Sequence, residues 1–148
     1  PRSTPLYSSA ASDVYKRQII ESGVKFNKLI QLMKPMGFHD YNHLQKYSKA
    51  VLSDSGTISE ESSIMNFPAL NIRDAHERPE AMEEASVMMV GMKTERIMQC
   101  LKILETQKRG DERNMRTVSD YSVPNVSEKV VRIILSYTDY INRVVWNK

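Results

Sequence analysis

The stretch that most constrains the fold of this chain runs over residues 51–78. A short apolar run ends at Leu52, the small or polar residues Ser-Asp-Ser-Gly-Thr follow, and a segment with two glutamates continues in a helical pattern. This order predicts a β-strand, a tight turn and an α-helix. Such a turn directs free backbone N–H groups and the positive end of the helix dipole at one point, which suits a phosphate or diphosphate. Gly56 would let a ligand approach the backbone closely.

Charged residues near this turn extend the prediction. Glu61 follows Gly56 by about one and a half helical turns, where its carboxylate can accept hydrogen bonds from two ribose hydroxyls. A second apolar run, residues 69–72, leads into a segment that carries Arg73 and Arg78. Because ligands of open α/β sheets bind outside the carboxyl ends of the strands, we expect both guanidinium groups at the same edge as the turn.

These motifs resemble those of a known family. The segments DSGTISEESS and FPALNIRDAHERPEAMEEA are similar to the C-terminal half of the non-hydrolysing UDP-N-acetylglucosamine 2-epimerases, whose pattern is D-S-G-G-x-x-E-E, a strand, then R-x-x-T-E-R-P-E. Thr57 replaces the second glycine of that pattern and His76 replaces its threonine, and similar substitutions occur in the branch that makes UDP-N-acetyl-L-fucosamine. The matching positions are Asp54, Ser55, Gly56, Glu60, Glu61, Arg73, Glu77, Arg78, Pro79 and Glu80.

The resemblance covers the chain from about Ser22 onward and implies both a fold and an activity. The implied fold is α/β, a Rossmann-like parallel sheet forming the C-terminal half of a GT-B-type two-domain protein. The implied activity is that of an isomerase interconverting UDP-N-acetylglucosamine and UDP-N-acetylmannosamine, or of the related epimerase that forms UDP-N-acetyl-L-fucosamine. Such enzymes remove the C2 proton, eliminate UDP, and add UDP back after protonation from the other face.

The resemblance also implies which parts of the reaction this chain supplies. The acid/base carboxylates of the family belong to an N-terminal domain, so no residue here is assigned a catalytic role and we expect the piece alone to be inactive. No cofactor is implied. The partners implied are a UDP-sugar, the missing N-terminal domain and, for the full-length protein, a second copy in a homodimer.

The UDP site implied by the resemblance combines turn, helix and loop residues. Glu61 would bind the ribose, and Arg78 the phosphates, because a guanidinium can hold a phosphate through two hydrogen bonds. Phe38 and Tyr41 would line the uracil pocket, although they could instead simply pack against the sheet. His76 is a candidate substrate contact. The full set is Ser55, Gly56, Thr57, Glu61, Arg78, Tyr41 and Phe38, with His76 in addition.

Composition narrows the class of protein further. The formal net charge of +3 gives no reason to expect nucleic-acid binding. Cys100 is the single cysteine, so no disulfide framework is possible within the chain. It lies in an apolar helical pattern, which predicts a buried thiol. The three histidines share no metal-ligand spacing, and we assign no metal. No apolar run approaches the ~18 residues of a membrane span, and no secretory signal is recognisable. We therefore expect a cytoplasmic protein that binds neither nucleic acid nor membrane.

The chain divides into an N-terminal stretch and a domain. Residues 1–18 are similar to translated adapter sequence, and we expect them to be non-native and disordered; residues 19–148 form the partial UDP-binding domain. Alternating strands and helices predict right-handed parallel βαβ units with about four strands. The predicted strands are 29–33, 50–53, 69–72 and 86–90, and the predicted helices are 40–48, 57–65, 79–85, 94–106 and a crossover helix at 126–146.

Several local features complete these predictions. Asp40 is a fair N-cap for the first helix, and Asn125 and Glu128 resemble a capping box for the last one. The polar segment 107–122 is expected to be a solvated connection. The apolar stripe of the last helix is expected to be partly exposed, because in the family this helix packs on the N-terminal domain.

Two other classes of function stay open at this stage. A glycosyltransferase with the same two-domain architecture also binds a nucleotide sugar with a helix N-terminus and a glutamate. A UDP-binding module without chemistry would carry the same residues. The segment from Arg73 to Glu80 favours the epimerase over both.

Overall fold

The computed structural model describes residues 17–148, so the prediction for residues 1–18 lies almost entirely outside it. The described residues divide into two compact units, the first ending at Gln45 and the second being Lys46–Lys148. Helix α1 (Phe38–Tyr47) begins in the first unit. Its first backbone bond runs from the Tyr41 N–H to the Gly37 carbonyl, 2.9 Å apart. Asp40 therefore lies in the first turn, and its prediction as the N-cap was wrong.

The predicted strand at 29–33 is also wrong. Asn27 holds this region in a turn: its side-chain oxygen accepts from the Leu29 N–H at 3.0 Å, and its carbonyl accepts from the Ile30 N–H at 2.9 Å. Leu29 is 82% exposed. An asparagine that bonds the backbone two residues on competes directly with a strand ladder, which explains why the apolar run does not become a strand here.

The second unit contains a parallel sheet, as predicted, but with three strands in the order β1-β2-β3 rather than about four among the residues described. Leu52 is level with Leu70, and Leu70 with Met88. In chain order the elements are β1 (Val51–Ser53), α2 (Thr57–Met65), β2 (Ala69–Asn71), a 3-10 turn (Pro79–Met82), β3 (Met88–Met89), α3 (Thr94–Leu104), a second 3-10 turn (Ser119–Tyr121) and α4 (Val126–Val144).

The core lies on both faces of this sheet. Alternate residues of β2 point in opposite directions, so Ala69 packs with Ile58 and Phe67, whereas Leu70 packs with Cys100 and neighbours on α3. Cys100 is a buried free thiol, as predicted. Each fully buried Leu or Phe side chain contributes about 1.5–3 kcal/mol, so these two clusters fix α2 and α3 against the strands.

Two local predictions after β2 need correction. The helix predicted at 79–85 is only a 3-10 turn, because Pro79 starts it and Ala85 has a left-handed φ of 47° that ends any helical continuation. The strand predicted at 86–90 is reduced to Met88–Met89. Both short elements nevertheless bring the chain back to the sheet at the same place as predicted.

The connection at 107–122 is bound to α2 rather than simply solvated. Arg113 donates to the carbonyls of Ser63 and Ile64, both at 2.7 Å, and so satisfies the carboxyl end of that helix. Asn66, which ends α2 in a left-handed conformation, donates to the Gly110 and Glu112 carbonyls. Val118 is fully buried. This segment is therefore part of the packed unit.

The last helix behaves as predicted in one respect and not in another. No residue of α4 is buried, which confirms that its apolar stripe is exposed. The predicted capping box does not form: Asn125 has a left-handed φ of 62° rather than the β-region backbone typical of an N-cap, and its side chain makes no capping bond. In the part of the chain described, no helix is long and apolar enough to cross a membrane.

Candidate functional site

The turn between β1 and α2 is held by its own hydroxyl groups. Ser55 Oγ accepts from the Thr57 N–H at 3.3 Å and lies 2.9 Å from Thr57 Oγ1. The Ser55 N–H in turn donates to Ser53 Oγ at 3.1 Å. These bonds fix the first turn of α2 before any ligand arrives. The exposed N–H end of a helix with a fixed approach is a suitable site for an anion.

Gly56 is required here by space rather than by backbone conformation. Its φ of −61° is open to any residue. A Cβ atom at this position, however, would lie only 2.6 Å from Glu77 Oε2. The loop after β2 therefore touches the turn directly at the one residue that has no side chain.

A second contact ties the same loop to the turn. Arg73 pairs with Glu77 at 2.5 Å, and its Nη1 also donates to the Asp54 carbonyl at 3.1 Å. Both side chains are partly exposed, so the ion pair itself adds little stability. Its effect is geometric, because it holds the segment that leads to Arg78 against the carboxyl end of β1.

Arg78 lies beside the first turn of α2, where the sequence predicted it. Its Nε donates to Glu60 Oε1 at 2.6 Å and its Nη1 to the Glu77 carbonyl at 3.3 Å. The hydrogen bond to Glu60 and the charge of that carboxylate raise the pKa of Arg78. A guanidinium has five N–H donors, so the remaining ones can bind an anion.

A tyrosine from a distant part of the chain completes this cluster. The Tyr121 hydroxyl donates to Glu80 Oε1 at 3.0 Å. Burial of the phenol, followed by this hydrogen bond, raises the pKa of Tyr121 well above its usual value. Tyr121 is therefore a neutral donor throughout the physiological pH range. The charge of Glu80 also acts on Arg78.

The predicted site residues are thus distributed over both units. The second unit brings together Ser55, Gly56, Thr57 and Arg78, with Glu61 partly buried further along α2. Phe38 and Tyr41 lie on α1 in the first unit, 75% and 40% exposed. Their assignment to a uracil pocket stays a prediction.

His76 lines a separate cavity of about 430 Å³. Both of its ring nitrogens are buried and have no hydrogen-bond partner among the residues described. None of the turn residues lines this cavity. Its walls are His76, Met82, Ala85, Val87, Met88, Met89, Arg96 and Cys100.

Sequence reasoning missed two parts of this arrangement. It named Glu60 as a position that matches the family pattern, but not as the partner of Arg78. It also missed Tyr121 entirely, since no spacing rule connects it with Glu80, 41 residues earlier. Within residues 17–148 no group of three or more His, Cys, Asp or Glu side chains could hold a metal ion.

Comparison with known proteins places these residues in a family. A sequence profile of the UDP-N-acetylglucosamine 2-epimerases matches residues 2–135. The chain belongs to this family. The resemblance noted from the turn and the Arg78 loop is thereby confirmed, as is the α/β class of the fold.

Individual epimerases agree with the profile. The epimerase of Methanocaldococcus jannaschii is 32% identical over 117 residues, which are 79% of this chain and 30% of that protein. The solved structure of the Rickettsia bellii epimerase is 49% identical with a TM-score of 0.71, covering 78% of this chain and 32% of that one. The structure of the Neisseria meningitidis epimerase, solved with UDP-GlcNAc bound, is 29% identical with a TM-score of 0.56. The match covers 84% of this chain and 33% of that one. The chain thus spans about a third of the length of these relatives.

Proposed function

We propose that this chain supplies the UDP-binding part of a UDP-N-acetylglucosamine 2-epimerase. The substrate would be UDP-N-acetylglucosamine or the UDP-sugar of the related epimerisation that forms UDP-N-acetyl-L-fucosamine. The observation that carries the proposal is the packing of the Arg78 loop on the turn: Glu77 against Gly56, Arg73 on the Asp54 carbonyl, and Arg78 beside α2. This packing brings together, at one edge of the sheet, the groups that we propose bind phosphate.

Each residue has a proposed role in holding the substrate. The N–H groups of Gly56 and Thr57, with the free donors of Arg78, would bind the diphosphate, and Ser55 would fix the turn. Glu61 would accept the two ribose hydroxyls. Phe38 and Tyr41 would stack on or enclose the uracil. A contact between His76 and the sugar would require the ring to leave its separate cavity, because both ring nitrogens are buried.

In the epimerisation these groups would act on the leaving group rather than on the proton. Elimination of UDP develops negative charge on the diphosphate, and donors fixed beforehand stabilise that charge without reorganising. Transfer of the C2 proton needs acid/base groups, which we assign to the part of the protein outside this chain. We infer a cytoplasmic enzyme that acts as a homodimer when complete.

The reaction itself provides the test. The full-length protein is incubated in heavy water with UDP-N-acetylglucosamine and, separately, with the UDP-sugar of the related epimerisation, and deuterium at C2 is followed by NMR. We expect deuterium in both the recovered substrate and its C2 epimer. A glycosyltransferase would transfer the sugar to an acceptor without labelling C2, and a binding module would leave the sugar unchanged; either result would overturn the proposal.

A further inference from the structure

We infer that Glu60, Glu80 and Tyr121 are positioning residues that orient Arg78 for the diphosphate. The inference rests on the proposed function, because it concerns how the proposed phosphate ligand is held. Two hydrogen bonds carry it, Arg78 to Glu60 at 2.6 Å and Tyr121 to Glu80 at 3.0 Å. We refer to these four side chains as the arginine network.

The way in which Arg78 is held leaves its binding edge open. Glu60 takes the Nε–H, and the Glu77 carbonyl takes one N–H of Nη1. The donors that remain belong to the end of the guanidinium, where Nη1 and Nη2 can together hold one phosphate. Glu60 therefore fixes the plane of the guanidinium without occupying the pair of donors that an anion needs.

Glu80 extends the network from Arg78 to Tyr121. It lies two residues after Arg78 in the 3-10 turn, and its negative charge acts on the guanidinium. The hydroxyl of Tyr121 holds the carboxylate of Glu80 in place. Arg78 is thus hydrogen-bonded to one carboxylate, Glu60, and acted on by the charge of a second, Glu80, which Tyr121 holds.

Tyr121 is itself held firmly enough to serve this purpose. The neighbouring Val118 is fully buried, and its N–H donates to Ser63 Oγ of α2 at 3.0 Å. Arg116 pairs with Glu84, two residues after the 3-10 turn Pro79–Met82, at 2.8 Å. The Val118 bond attaches the 3-10 turn of Tyr121 to α2, the helix that starts at the proposed phosphate site.

Orientation explains the network better than charge does. Two carboxylates beside an anion site repel a diphosphate, so on electrostatic grounds alone they would weaken binding. An arginine side chain has large rotamer freedom, which is lost when a ligand immobilises it. A guanidinium that is already fixed loses little further side-chain entropy when the ligand binds. Affinity increases in this way only if the carboxylates hold the guanidinium in the orientation that the diphosphate requires.

Glutamine and alanine variants of Glu60 separate the two explanations. Binding of UDP and of uridine to the full-length protein is measured by calorimetry. Glu60→Ala removes the acceptor and should weaken UDP binding by about tenfold while changing uridine binding by less than about twofold. Glu60→Gln keeps an acceptor for Nε and should bind UDP within about threefold of the wild type.

A double-mutant cycle tests whether Glu60 acts through Arg78. In an Arg78→Ala background, adding Glu60→Ala should change UDP binding by less than about twofold, because the group that it orients is gone. Tyr121→Phe, which keeps the ring and removes only the donor, should weaken UDP by about threefold and spare uridine. Thermal melting of every variant serves as the control for folding.

The outcomes distinguish this inference from the proposed function. If the wild type binds neither UDP nor uridine, the proposed function fails and the network fails with it. If the wild type binds both, but Glu60→Ala binds UDP like the wild type or more tightly, only the network is wrong. It is equally wrong if Glu60→Ala weakens UDP in the absence of Arg78. If Glu60→Ala does not fold, Tyr121→Phe serves as the test instead. UDP binding by Tyr121→Phe equal to that of the wild type would then overturn the inference.

Discussion

Replacing Gly56 with alanine tests the contact between the turn and the Arg78 loop. The new Cβ would lie 2.6 Å from Glu77 Oε2 and 3.5 Å from Glu77 Cβ. Because the carboxylate is the end of a flexible side chain, it can move away, but in doing so it leaves Arg73. The lost ion pair is partly exposed and contributes about 0–1 kcal/mol. The entropy that alanine removes from the unfolded chain offsets about 0.4–1 kcal/mol of this loss.

The expected change in stability is therefore within about 1 kcal/mol, whereas UDP binding should fall more steeply. The methyl group takes the place of the Glu77 carboxylate, and the displaced carboxylate would disturb the loop that holds Arg78 beside the proposed phosphate site. We expect at least a tenfold loss of UDP affinity, about 1.4 kcal/mol. Denaturant unfolding and calorimetry of the full-length protein give the two quantities.

Gly37→Ala is the matched control. Its Cβ would meet only Asp40 Oδ2 at 3.7 Å, an ordinary contact, so stability should rise by about 0.4–1 kcal/mol through the entropy that alanine removes from the unfolded chain. UDP binding by Gly56→Ala within twofold of the wild type would refute the turn as a phosphate site. A loss of stability above about 3 kcal/mol would instead refute the contact geometry, since a displaced exposed carboxylate cannot account for it.

Three further predictions concern other residues. Glu61→Ala should weaken both UDP and uridine by about 1.5–3 kcal/mol in calorimetry, because both contain the ribose; unchanged binding would remove Glu61 from the ribose site. The raised pKa of Tyr121 in the folded state means that the unfolded chain loses this proton first, so stability should fall as pH rises above about 10. Tyr121→Phe should flatten that slope in denaturant titrations, and an unaltered slope would contradict the assignment. Val118→Ala should cost about 2–3 kcal/mol of unfolding free energy, against under about 0.5 for the exposed Val123→Ala; equal costs would show that the 107–122 connection is not packed.

The secondary structure was predicted best where residues next to an element determine its ends. Helix α2 was predicted at its observed limits, because Gly56 and the polar turn before it start the helix, and Asn66 followed by Pro68 ends it. Strands β1 and β2 differ from the predicted strands by one residue at one end. The same local signals placed Arg78 at the correct edge of the sheet.

The predictions from sequence fail where the structure depends on contacts that the local pattern does not show. The apolar run at 29–33 has the composition of a buried strand, yet periodicity cannot show that Asn27 fixes a turn there instead. The polar character of 107–122 gave no sign that Arg113 satisfies the end of α2. Nor could spacing connect Tyr121 with Glu80, because that contact exists only once both 3-10 turns pack on α2.

A crystal structure of the full-length protein with UDP tests the central claim most directly. We expect the diphosphate within hydrogen-bond distance, about 2.7–3.2 Å, of the turn N–H groups and of the free donors of Arg78, with the ribose hydroxyls on Glu61. The Arg78 bond to Glu60 should persist in that complex. UDP bound elsewhere, or with its phosphates away from both the turn and Arg78, would contradict the account.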